Sequence, residues 1–522
     1  MRKIIFLISM LIVISNKVFG QAGTLDSTYG NNGISYCGSN YGPYNLPFST
    51  MDSDGRMLLL YAFDDSSFIL TRYLADGIAD ITFGNNGQEI FNTGHIYNNS
   101  YIQLQQDDRI LVAGTIQLTP TDSAYNTDFF LTRFLPDGGI DTSFANLGQL
   151  VIDLGNRDYA GCLGIQEDNK ILLSGSTDAL STYQKDITLL RLLPNGTPDS
   201  SFGDAGRIIT NLTNLSMHEE YGDKVLVRPG GKILLLGVVH YWQWDHKSIM
   251  RYQSNGIIDS SFGSFGIVTD LSIDDISYWD FVLEEDMSIL VGEGGGSVSG
   301  GGFRTNLHKY TPDGQIDSAF AVYGKYESSF NGYSLRSFKS LTIQSDHKIV
   351  ASGVWDDSLL LLMRFTSSGI PDSSFGINGM VTNRFDGLYC SANKVYLYPS
   401  DKITLLCAST NYIDTGRVLI VRYNNENVTI GIPNALTANS FALNVYPNPS
   451  SDFITFDLGT IVATQAELFI YNTSGALRIQ LPVTHSAQLQ ISVDDIGSDG
   501  MYFYTVRTDD QQFFAGKFII QR

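Results

Sequence analysis

The chain has 522 residues, 43% apolar and 12% aromatic, enough for a packed core and too many for a globally disordered chain. Its 28 Tyr, 30 Phe and 51 Gly favour strands and tight turns over long helices, so composition points to an all-β fold. A net charge of −21 argues against nucleic acid or an anionic membrane surface as partner, because either would require Lys and Arg against phosphates.

In chain order, the first element is a processing signal. Arg2 and Lys3 precede an apolar run from Ile4 to Ile14, and Val18-Phe19-Gly20 offers a cleavage site before Gln21. Such a run is too short to cross a hydrocarbon core of about 30 Å. Residues 1–20 therefore read as a signal peptide, and no membrane insertion is expected.

A repeated phrase follows. It begins at Asp26, Asp80, Asp141, Asp199, Asp259, Asp317 and Asp372, at intervals of 54, 61, 58, 60, 58 and 55 residues. A full copy reads Asp199-Ser200-Ser201-Phe202-Gly203, with Gly206 three residues on. Two further marks keep the same period. One is a polar turn before an apolar strand, as at Asp168-Asn169-Lys170. The other is a cation within an apolar strand: Arg72, Arg133, Arg191, Arg251, Lys309, Arg364 and Arg422. Each repeat has room for four strands, which in the third are Gln149–Leu154, Ala160–Gln166, Ile171–Ser176 and Ile187–Leu193. One small sheet cannot bury both faces, so the predicted fold is a seven-bladed β-propeller of four-stranded blades over residues 24–425.

A group present in every repeat serves every repeat. The motif Asp is read as a turn acceptor, the strand Arg as a link between blades and the motif Phe as a plug. Chain alternation puts the regular turns on one face and the irregular loops on the other, and the irregular face is the candidate binding surface. It carries His240, Tyr241, Trp242 and Trp244, then Asp274, Asp275, Tyr278 and Trp279, then Trp355. Aromatic rings beside carboxylates suit sugar rings. The run Gly292-Glu293-Gly294-Gly295-Gly296 lacks the Lys-Ser/Thr of a phosphate loop and is read as a flexible loop. Cys37, Cys162, Cys390 and Cys407 form no metal or disulfide framework, but ring closure would bring Cys37 towards Cys390 as a possible bridge, with Cys390–Cys407 competing. No cofactor or metal is expected.

The period stops after Arg422. Residues 426–440 read as a linker, and residues 441–522 as a small C-terminal β-sandwich with a Tyr446-Pro447-Asn448-Pro449 opening, an Asn472-Thr473-Ser474-Gly475 turn and a Gly516-Lys517-Phe518-Ile519-Ile520 ending.

Two resemblances follow from these residues. The Asp-x-Ser-Phe-Gly-x-x-Gly phrase, the polar turn and the Arg strand resemble the delta-60 repeat of bacterial β-propellers, which implies the fold without an activity. The C-terminal module resembles the type A sorting domain of type IX secretion substrates of Bacteroidota. That resemblance implies passage through the type IX machinery to the outer surface or the medium. The expected function is a non-catalytic secreted or cell-surface propeller, a binding, adhesion or scaffold protein that recognises glycan or protein. The alternative is an extracellular carbohydrate-active enzyme, hydrolase or lyase, on the same scaffold.

Overall fold

The computed structural model describes residues 22–41, 47–117, 126–155, 157–178, 185–212, 219–241, 244–269, 275–296, 303–328, 336–355, 358–385, 388–398, 401–410, 416–426, 443–459, 466–472, 477–483, 488–508 and 513–522. The chain is all-β: among these residues the one helix is a single turn, Val493–Ile496. No described helix is long and apolar enough to cross a membrane. The chain divides into a unit of Leu25–Asn425 and a second unit holding Glu426–Arg522.

Within the first unit, the described residues form seven antiparallel four-stranded sheets, propeller-like in their order. The innermost strands are Phe48–Met51, His95–Leu104, Asp158–Ile165, Glu219–Val227, Asp275–Leu283, Arg336–Ile343 and Tyr389–Leu397. Each packs on the next in chain order. The circuit closes where Tyr396 meets Ser49 and where Ile34–Tyr41 pairs with Gly416–Tyr423. The closing sheet thus takes one strand from the start of the unit and three from its end.

The allocation of strands differs from the sequence expectation by one position. Gln149–Ile152 does not open the third blade. It pairs with Asp128–Phe134 as the outer strand of the preceding sheet. The cause is the motif loop: Asp141 N–H donates to Arg133 O, and Arg133 N–H donates to Gly148 O, so the chain folds back on the strand it has just left.

The repeated residues build this loop and tie the sheets together. In the second copy Asp80 Oδ1 accepts from the backbone and hydroxyl of Thr82 at 3.0 and 2.6 Å, while Oδ2 takes Arg72 Nε at 2.7 Å. Arg72 also donates to Pro136 O of the next sheet at 2.6 Å and lies over the buried Phe83 ring at 4.6 Å. Six copies share this Arg–Asp pair; in the other, Lys309 turns to Glu284 at 2.9 Å. The second motif glycine has a φ of +84 to +98° in all seven copies, whereas the first is Ala145 and Ala321 in two. A Cβ at Gly206 would also come within 3.1 Å of Pro198. Gly206→Ala is therefore expected to cost about 1–3 kcal/mol in urea unfolding, against under ~1 kcal/mol for Ala145→Gly.

The Gly292–Gly296 run is strand rather than loop, lying within Ile289–Gly296. The neighbouring sheet explains the composition. A Cβ at Gly294 would sit 2.4 Å from the Ser337 backbone, and one at Gly292 would sit 2.8 Å from Leu341.

In the second unit, Val445–Tyr446, Phe453–Asp457 and Gln488–Ser492 form one sheet, and Leu477–Val483, Ala466–Asn472, Gly500–Thr508 and Phe513–Ile520 form another. Both contribute to one core, with Ile454 and Phe456 against Leu468, Ile470, Tyr504 and Phe518.

Candidate functional site

Of the aromatic residues picked out in the sequence, Tyr241, Trp244 and Trp355 lie at strand ends, whereas Tyr278 and Trp279 fall inside Asp275–Leu283. His240 is exposed at the end of Ile233–Tyr241, and Tyr241 pairs in register with Trp244. Trp242 and Asp274 lie outside the described residues, as do the side chains of Tyr241, Trp244, Asp275, Tyr278 and Trp279. Trp355 is half-buried against the core of its sheet, so its ring covers apolar side chains there. Nothing among the described side chains assembles this set into one patch. The regular face, by contrast, exposes Leu147, Phe265, Tyr323 and Ile377 in its motif loops.

The Cys37–Cys390 bridge is not formed. All four cysteines are buried thiols. Cys37 Sγ is turned to Ser35 O at 3.7 Å, and Cys390 Sγ accepts the Phe385 N–H at 3.3 Å and contacts Ser409 at 3.6 Å. Burial pushes the Cys37 thiol up to about 12.

A different set of charged residues converges along the circuit of inner strands. Opposite the fourth residue of each second strand stand Phe48, Tyr101, Cys162, Lys224, Asp280, Ser340 and Lys394. A register shift just before four of these positions leaves Gly161, Asp223, Lys339 and Asn393 as bulged residues. Bulges re-aim side chains out of the regular alternation, and here three of the four are polar or charged.

The contacts within this set are specific. Lys224 pairs with Asp280 Oδ1 and donates to Phe281 O at 2.8 Å, while Asp280 Oδ2 accepts the Leu341 N–H at 2.8 Å. Lys339 Nζ donates to Asn393 Oδ1 at 2.9 Å, and the buried Asn393 Nδ2 makes no hydrogen bond. Asp280 is buried, whereas Lys224, Lys339 and Lys394 are half-buried.

Electrostatics then separates the groups. Burial works to raise the Asp280 carboxyl, but the Lys224 and Lys394 charges, with hydrogen bonds from Lys224 and Leu341, outweigh it and keep Asp280 ionised below the usual range. Burial pulls the Lys394 ammonium down, opposed by Asp280. At Lys339 burial alone brings the ammonium down to about 8. Lys224 and Lys394 both act on Asp280, and the Lys339 amine can exchange a proton near neutral pH.

No single residue here stood out from the sequence, because Lys224, Asp280 and Lys394 share one position of the repeat at which the other copies carry Phe48, Tyr101, Cys162 and Ser340. The charges at that position were the available signal.

Comparison with known proteins bears on both units. Residues 105–144 and 166–202 match a β-propeller domain of unknown function, DUF5122. No curated protein matches the chain. Among solved structures, the chain is similar to a GH93 α-L-arabinofuranosidase of Fusarium graminearum in complex with arabinobiose, at 9% identity and a TM-score of 0.38, over 77% of this chain and 97% of that one. It is similar to an endo-arabinase of Bacteroides thetaiotaomicron at 10% identity and 0.28, over 55% and 94%. It is also similar to the β-propeller domain of the Trilobed protease from Pyrococcus furiosus, of open velcro topology, at 11% and 0.36, over 74% and 98%. Two of these three propellers are carbohydrate hydrolases. With two of these neighbours carbohydrate hydrolases, the expectation of a non-catalytic binding or scaffold protein is not borne out; the likeness itself carries no activity to this chain. Residues 444–521 match the secretion system C-terminal sorting domain, which implies interaction with the type IX machinery and export to the cell surface or beyond.

Proposed function

We propose that this chain is an extracellular carbohydrate-active enzyme that cuts an anionic polysaccharide at the axial cluster of a seven-bladed propeller. The observation that carries this reading is the placement of Lys224, Asp280, Lys339 and Lys394 on four successive inner strands, with burial lowering the Lys339 ammonium to about 8. Groups whose environments push their proton affinities apart supply acid–base assignments. Lys339, as the amine, takes the proton α to a uronate carboxylate. Lys224 and Lys394 stabilise the negative charge that builds on that carboxylate. The glycosidic C–O bond then breaks, the departing oxygen takes that proton back from the Lys339 ammonium as a hydroxyl, and a carbon–carbon double bond is left in the other product. Hydrolysis would instead need a second carboxyl raised above its usual range. Asp280 is ionised with both oxygens engaged, which favours elimination.

The purified protein, assayed on polyuronates, is expected to yield ultraviolet-absorbing unsaturated ends, with Lys339→Met at least about 100-fold slower. New reducing ends without that absorbance would mean a hydrolase; no depolymerisation would sink the proposal. The rate should rise with pH through about 8, as the amine is freed. Stability carries the same sign. The native state disfavours the Lys339 ammonium, so the unfolded chain binds more protons between about 8 and 10.5 and stability grows across that window. Lys339→Met should flatten this rise.

The remaining organisation belongs to the same proposal: a signal peptide at residues 1–20, delta-60-type blades over 24–425, a linker at 426–440 and a β-sandwich sorting module of the Bacteroidota kind at 441–522. Closure of the circuit by Ile34–Tyr41 supports the count of seven blades.

A further inference from the structure

We infer that Asp128, Asp153 and Asp158 form a binding site for a hard divalent cation of the calcium type, where two neighbouring sheets meet on the irregular face. Asp128 opens the third strand of one sheet, Asp153 follows that sheet's outer strand and Asp158 opens the inner strand of the next. One oxygen from each lies within 4.8 Å of the others. Oxygens on opposite sides of a calcium ion coordinated at about 2.4 Å are about 4.8 Å apart, so the spacing fits one shared ion.

Burial makes the cluster costly without a cation. Asp128 is 1% exposed and Asp158 is 0% exposed, and Oδ1 of each is buried with no hydrogen-bond partner. Asp153 is exposed and gives the mouth of the site. The backbone serves only part of the set: Leu154 N–H donates to Asp158 Oδ2 at 2.7 Å, and Gly155 N–H to Asp153 Oδ1 at 2.9 Å. The adjacent cation, Arg157, is engaged with Asp178 at 2.8 Å.

The next boundary of the same chain shows how this place is filled without a cation. There Asp186 stands where Asp128 does, Glu220 where Asp158 does, and Leu212 N–H donates to Glu220 at 2.7 Å just as Leu154 donates to Asp158. The third position is Asn211, whose amide donates to Asp186 at 2.7 Å. Exchanging that amide for the Asp153 carboxylate removes the donor and adds a charge. A doubly charged ion restores both, and oxygen-only ligands select calcium over softer metals.

The test uses the mature protein stripped with chelator. Added Ca²⁺ is expected to raise Tm by several degrees, with one ion bound per chain by calorimetry. Asp153→Asn copies the neighbouring boundary at an exposed position; it should abolish the calcium-dependent rise and unfold no earlier than the stripped parent. Asn211→Asp should raise the stoichiometry to two. An unchanged Tm on adding Ca²⁺ to the parent, or a rise that persists in Asp153→Asn, would overturn the assignment. Because these readouts are stability and stoichiometry, they are independent of the axial chemistry.

Discussion

Asp80→Ala is expected to lower the unfolding free energy by about 3–5 kcal/mol, because it leaves the Arg72 guanidinium buried without its carboxylate. The change also removes the acceptor for the Thr82 N–H and hydroxyl, so the turn loses its anchor in the same step. Urea denaturation measures the effect, and the chain supplies its own control. Asp317 faces no such arginine, since Lys309 has turned to Glu284, and its Oδ1 accepts only the Ala319 N–H at 3.1 Å among the described contacts. Asp317→Ala should therefore cost no more than about 1 kcal/mol. Equal losses at the two positions would refute the buried ion pair as the source.

The same pairs fix the direction of acid sensitivity. Asp26, Asp80, Asp141, Asp199, Asp259 and Asp372 are all held below the ordinary carboxylate range: burial opposes ionisation, but hydrogen bonds and arginine charges outweigh it. Their stabilisation is present above the unfolded value of about 3.8 and is lost as pH falls through the lower native values.

A second large effect is expected at the closing sheet. Deleting residues 22–41 removes Ile34–Tyr41 from the edge of Gly416–Tyr423, takes Asp26 from the buried Arg422, and removes Tyr29, over which Arg422 lies at 4.3 Å. A broken buried pair costs about 3–5 kcal/mol and a lost buried ring about 3–5 more. The truncated protein should fail to show a cooperative transition in circular dichroism and should be cleaved rapidly by protease. A truncation that melts like the parent would show that the other six sheets hold the unit together without it.

The framework was legible from the sequence because its residues recur. Seven copies of the Asp, the strand cation and the motif aromatic announce the loop that places them, and the structure uses the Arg as a bridge to the next sheet, as at Arg72 to Pro136. Which sheet receives the strand after the motif was not legible. That is decided by the backbone bonds at Asp141 and Gly148, which no side-chain pattern encodes. Glycine misled for a similar reason: Gly292 and Gly294 are small because Leu341 and Ser337 lie above them, not because the chain must bend. The charged set was hidden because Lys224, Asp280 and Lys394 come from different repeats and act on one another only across sheets. The sequence reading of the irregular loops looked for aromatic residues and passed over Asp128, Asp153 and Asp158.

The pairing of Ile34 with Val421 also governs when the molecule can become whole. Their separation, 421 − 34 = 387 residues, makes this the most non-local strand pairing among the sheets of the unit, and such contacts form late because the whole intervening loop must be ordered first. During synthesis the first strand has no partner until nearly all of the repeat array has emerged. Until then the unit is an open-ended array of sheets. Its first strand to be made is the last to pair.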